Sequence, residues 1–144
     1  MLARLSNVRT FSMTSLILGV IALCGGLAHA LGWLPAPALE SEPRVYIASV
    51  IELLTGCLLL GAAYSLRSIL PSAWRSALGY HVAALLCVGV GVILFSGAMR
   101  VSLLSAGFHG LLFVMIALNA AGLWHLRPRN PLKRAQHEIA ARLY

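Results

Sequence analysis

Residues 45–64 read Val45-Tyr46-Ile47-Ala48-Ser49-Val50-Ile51-Glu52-Leu53-Leu54-Thr55-Gly56-Cys57-Leu58-Leu59-Leu60-Gly61-Ala62-Ala63-Tyr64, and this stretch decides the fold. It is an apolar run with a tyrosine near each end and a single carboxylate inside. An α-helix rises ~1.5 Å per residue, so about 20 such residues cross a hydrocarbon core of ~30 Å. A membrane strand would alternate apolar and polar side chains, and this run does not. The run predicts a transmembrane helix.

Working outward, three more runs have the same character: Met13 to Trp33, Leu78 to Ser96, and Leu103 to Trp124. Pro35, Pro37 and Pro43 interrupt the chain between the first and second runs, and Pro71 and Ser72 between the second and third. The third connection, Gly97 to Ser102, is short, which predicts that the last two spans are antiparallel neighbours. Trp33, Trp74, Trp124, Tyr46, Tyr64 and Tyr80 fall at or beside the predicted ends, where amphipathic rings favour the headgroup level. The expected fold is all-α: a four-helix transmembrane bundle in one domain, residues 1–129, followed by a short basic tail, residues 130–144.

The composition agrees. Of 144 residues, 60% are hydrophobic and 10% charged, with a mean hydropathy of +0.87, against about 25% charged in a soluble domain. The net charge of +7 lies outside the apolar runs, so topology accounts for it and nucleic acid is not an expected partner. Arg4, Arg9, Arg67, Arg75, Arg127, Arg129, Lys133, Arg134 and Arg142 fall on one side of the four spans, and Arg44 and Arg100 on the other. The positive-inside rule then places both termini in the cytoplasm. Few lysines among abundant Ala, Leu, Gly and Arg suit a GC-rich bacterium, hence a bacterial inner membrane.

A rival reading of the first run is a signal peptide, since Ala28-His29-Ala30 fits an A-x-A cleavage site; the length of the run favours a span. Cys24, Cys57 and Cys87 each lie within an apolar run and form no CxxC pair, so a disulfide framework is not expected and packing as small apolar residues is. In the tail, Asn130 and Pro131 suit a helix start. Leu132, Ala135, Ile139 and Leu143 share a face. Arg127, Arg129, Lys133 and Arg134 suit lipid headgroups of an anionic leaflet.

Polar groups inside a bilayer are costly and mark the places where function is sought. Here they are His29, Glu52, Thr55, His81, His109 and Asn119. Counted from the span ends, His29, Glu52 and His109 lie at one depth, roughly 6–10 Å below the outer surface at ~1.5 Å per residue. Three helices thus bring imidazole, carboxylate and imidazole to one level. Gly25 precedes His29 by one turn, and Gly56 follows Glu52 by one turn. Ala106, His109, Gly110 and Phe113 make a similar face on the fourth span. These small residues predict that the faces point into the bundle. A ligand pocket of His29, Glu52, Thr55, Arg100 and His109 is the candidate site.

Its chemistry has several readings. His29, Glu52 and His109 are a metal-ligand set in type, with no supporting spacing. His29 and His109 are candidates for a bis-histidine haem. A quinone headgroup or small lipid is a more permissive occupant. The plainest reading is a hydrogen bond that fixes helix register. His81 and Asn119 lie near the inner ends; His81 is expected at the interface and Asn119 in an interhelical bond. No phosphate-binding loop, GxSxG or HExxH occurs, and the loops are too short for a catalytic domain.

The segment Ser49 to Arg67, with Glu52 opening an apolar, glycine-containing helix and Arg67 near its cytoplasmic end, resembles the second helix of DoxX-type proteins. The resemblance implies a small four-helix membrane protein with cytoplasmic termini, linked to membrane redox systems and quinone reduction, with Glu52 as the position carried over. The first span lacks the family's basic start and aromatic-rich ending, and His29 and His109 map to no family site. Taken together, the expectation is an accessory membrane subunit, with a small-molecule binding or transport protein and a metal- or haem-binding redox protein as alternatives. Partners would be membrane lipids and either other membrane subunits or further copies of the chain.

Overall fold

The computed structural model describes residues 2–31, 44–68, 72–96 and 103–125. They form four α-helices: α1, Leu2–Ala30; α2, Arg44–Arg67; α3, Ala73–Ser96; and α4, Leu103–His125. All four are long and apolar enough to cross a membrane. The chain is therefore an integral membrane protein by construction of its helices. Trp33, Arg100, Arg127, Arg129, Lys133, Arg134 and the tail 130–144 lie outside the described residues.

Helix limits differ most from the predicted spans at two helix starts. α1 begins at Leu2 rather than Met13, and α3 begins at Ala73 rather than Leu78. Hydropathy marks the lipid-embedded part of a helix, whereas the backbone ladder continues into polar sequence wherever nothing breaks it. As a result Tyr80 is about 10 Å inside α3 at ~1.5 Å per residue, and Trp74 occupies the helix end.

Each helix packs against its sequence neighbour, and α1 closes against α4; the diagonal pairs meet through polar side chains, Ser15 with His81 and Glu52 with His109. The register is antiparallel throughout. Gly19 faces Gly56 while Gly26 faces Ser49 and Leu53, and Gly61 faces Tyr80 while Gly91 faces Ile51. Ser15 reaches Asn119 and Gly25 lies against Phe108, so α1 and α4 also run opposite ways. This is an up-down-up-down bundle, and the expected pairing of the last two spans holds.

The buried positions form one stripe per helix. On α1 they include Ser12, Ser15, Gly19, Ala22 and Gly26; on α2, Ser49, Glu52, Gly56, Leu59 and Ala63; on α3, Ala77, His81, Ala84, Val88 and Gly91; on α4, Leu112, Ile116, Asn119 and Leu123. Spacings of three and four alternate, as in left-handed bundles with shallow crossing angles. The rest of each helix is apolar and uncovered, as at Ile17, Val50, Leu86, Ile93, Leu111 and Leu118. Lipid is the solvent for these faces. Cys24 and Cys57 are also exposed, so they line the outer face instead of packing inside as expected.

Two helices approach closely where side chains are absent. A Cβ on Gly56 would collide with the Leu23 side chain and stand 2.9 Å from the Gly19 carbonyl oxygen. A Cβ on Gly122 would run into the Phe11 ring. Gly110, expected to face inward, has open space around it, and Phe113 beside it is exposed. The inward line of α4 runs from His109 through Leu112, so the predicted Ala106–Phe113 face is rotated from the true one.

Candidate functional site at the His29–Glu52–His109 bridge

Glu52 sits on the buried stripe of α2 and is 2% exposed. Its two carboxylate oxygens accept from two different helices. His29 Nδ1 of α1 lies 2.7 Å from Oε2, and His109 Nε2 of α4 lies 2.8 Å from Oε1. Both distances are in the short range of charge-assisted bonds. Both imidazoles are 18% exposed while the carboxylate is closed in. Three of the five candidate residues are thus brought together, across α1, α2 and α4.

The local sequence explains the convergence. His29 is in the last turn of α1 and His109 in the second turn of α4, at the same end of the bundle as the start of α2. Gly25 lies beside the carboxylate, and a Cβ there would make ordinary contact, 3.6 Å from Glu52 Oε2 and 3.6 Å from the Phe108 ring. Phe108 meets the His109 ring edge to face, with centroids 5.3 Å apart and planes at 88°. That contact helps set the ring that points its Nε2 at Glu52.

Thr55, the fourth candidate, is fully buried one turn below Glu52. Its hydroxyl is the one buried polar side-chain atom among the described residues without a hydrogen-bond partner. Arg100, the fifth, falls outside the described residues. Among the described residues no group of three or more His, Cys, Asp or Glu side chains is arranged to hold a metal ion. Each histidine directs one ring nitrogen at a carboxylate oxygen, an arrangement of hydrogen bonds.

A second polar level was only partly legible from the sequence. His81 is fully buried, not interfacial. Its Nδ1 donates to the Ala77 carbonyl at 2.7 Å, and its Nε2 is 3.0 Å from Ser15 Oγ. Asn119 Nδ2 reaches Ser15 Oγ at 3.2 Å. This ties α1, α3 and α4 together, as expected for Asn119, and shields an imidazole that its place near the start of the predicted third span assigned to the interface. The missing signal was its spacing, since His81 falls between Ala77 and Ala84 on the inward line of α3. Nearer the same end, Arg67 Nε donates to Ser12 Oγ at 3.3 Å, and Trp74 Nε1 donates to the Leu123 carbonyl at 2.7 Å.

Between the two polar levels lies an apolar layer of Leu18, Ala22, Leu59, Ala84, Val88, Leu112 and Ile116, each 7% exposed or less. On α4 the levels are set by His109 and Asn119, which places them about 15 Å apart at ~1.5 Å per residue. The two networks do not share a member.

No family model, curated protein or solved structure matches the chain.

Proposed function

We propose that the chain is a small accessory subunit of a larger membrane complex, linked to quinone chemistry, with both termini cytoplasmic in a bacterial inner membrane. The observation that carries this reading is the His29–Glu52–His109 bridge. A buried carboxylate held by two imidazoles is an expensive way to join helices in lipid, where apolar packing serves as well. Imidazole and carboxylate are also the side chains that exchange protons with a quinone-class headgroup. In the proposed orientation the bridge lies just below the outer interface, at the depth of such a ring. The likeness of Ser49 to Arg67 to the second helix of DoxX-type proteins adds to it.

The orientation rests on the cations. Arg9, Arg67 and Arg75 gather at the end of the bundle away from Glu52, and the remaining sequence places six more on that side. An accessory role suits the connections between the helices, which are too short to hold a catalytic domain. The test is extraction into native nanodiscs. Partner subunits and bound quinone should copurify with the wild-type chain. A lone chain without quinone would end this reading.

Small-molecule binding without a partner complex is the second reading, and the partial exposure of both histidines favours it. Transport through one copy has less support, because the apolar layer interrupts the polar line. A haem- or metal-binding protein has less still, since among the described residues no three His, Cys, Asp or Glu side chains are grouped to hold a metal ion. An absorption spectrum and metal content of the purified protein test it.

A further inference from the structure

We infer that the site selects the reduced, hydroxyl-bearing form of its ligand, a quinol rather than a quinone, through Nε2 of His29; this rests on the quinone-linked reading above. A carboxylate is an acceptor only, so each imidazole that bonds Glu52 does so with a ring N–H. Bonded to an ionised Glu52, a neutral His29 is the tautomer with its proton on Nδ1, 2.7 Å from Glu52 Oε2. In the neutral ring Nε2 then carries a lone pair and points away from Glu52, on the far side of the imidazole.

That nitrogen is accessible. His29 makes its hydrogen bond at Nδ1 and no other among the described residues, and Thr55 Oγ1 is the one buried polar atom lacking a partner there, so Nε2 is not a buried orphan. The His29 side chain is 18% exposed at the end of α1. Glu52 behind the ring strengthens Nε2 as an acceptor, as carboxylates do behind histidines whose far nitrogen binds a ligand.

An acceptor nitrogen discriminates by what the ligand offers. A quinol presents an O–H that Nε2 accepts. A quinone presents only carbonyl oxygens, and a lone pair facing a lone pair is repulsive. One such hydrogen bond corresponds to about tenfold in affinity. The bridge holds the ring in place for this contact, so no reorganisation is needed on binding.

The experiment is equilibrium binding of a short-chain quinol and its matching quinone, under anaerobic conditions, to the full chain in nanodiscs. The quinol should bind about tenfold tighter. His29→Phe should abolish that preference. Equal binding of the two forms, or a preference that survives in His29→Phe, overturns the inference and leaves the quinone-linked reading standing. Binding of neither form overturns both. Should His29→Phe not fold, nitrogen NMR of the wild-type histidines decides: quinol, and not quinone, should shift the His29 Nε2 resonance, and an unmoved resonance overturns the inference.

Discussion

At the scale of single residues, the chain concentrates its polar chemistry in a handful of buried positions, each with a different energetic standing. Glu52 is satisfied twice, by His29 and His109. Replacing it with leucine alone leaves two imidazole donors without their acceptor, and should cost about 1–3 kcal/mol. Replacing all three residues with leucine removes the donors as well and should recover most of that loss. Thermal unfolding in detergent checks both; a triple variant no more stable than Glu52→Leu would show that the bridge contributes by shape alone. Thr55 is the opposite case, a buried hydroxyl without a partner among the described residues. Thr55→Val keeps the volume and removes the unpaired group, so it should stabilise the bundle by up to about 1 kcal/mol. A clear destabilisation would mean that the hydroxyl has a partner. The sequence made both residues visible as polar intrusions in an apolar run. It did not distinguish the satisfied one from the orphan, because that depends on atoms supplied by other helices.

At the scale of helices, glycine has two distinct roles that look alike in sequence. Gly56 lies where α1 and α2 come close enough that a Cβ would strike Leu23. Gly110 on α4 faces open space. Gly56→Ala should therefore destabilise by about 1–3 kcal/mol through overpacking, and Gly110→Ala should be neutral or slightly stabilising through helix propensity. Equal effects in a denaturation series would contradict the assigned interfaces. Small residues one turn from His109 predicted the inward face of α4 with an error of rotation. Alternating spacings of three and four, read from His109 through Leu112, Ile116 and Asn119 to Leu123, would have given the correct face.

At the scale of the whole molecule, two polar levels are separated by one apolar layer. The layer argues that a single copy does not conduct protons between the Glu52 end and the Arg67 end. Proteoliposomes carrying the chain should hold an imposed pH gradient as well as empty vesicles do, and a stimulated dye response would show a path that the bundle lacks. The direction of the bundle is a separate matter, set by where the cations fall. A cysteine introduced at Ala98 should react with an impermeant maleimide added outside intact cells, and a reporter fused after Tyr144 should be active only in the cytoplasm. The reverse pattern would place the bridge at the inner leaflet.

The sequence by itself determined the number of spans and their helical character. Those properties come from length, hydropathy and the need of every backbone group in lipid for an internal hydrogen bond. It also placed His29, Glu52 and His109 at one depth, because rise per residue is a local constant. Tertiary structure alone decided that the three side chains meet, that His81 is buried against Ser15 and Asn119, and that Thr55 is left unpaired. Those outcomes depend on the rotation of each helix about its own axis. Rotation is set by the close approach of α1 and α2 at Gly19 and Gly56 and by the interlocking of the four stripes. The physical reason is that a helix in lipid is apolar on nearly every side, so its own hydropathy scarcely points inward, and only its neighbours fix which face is buried.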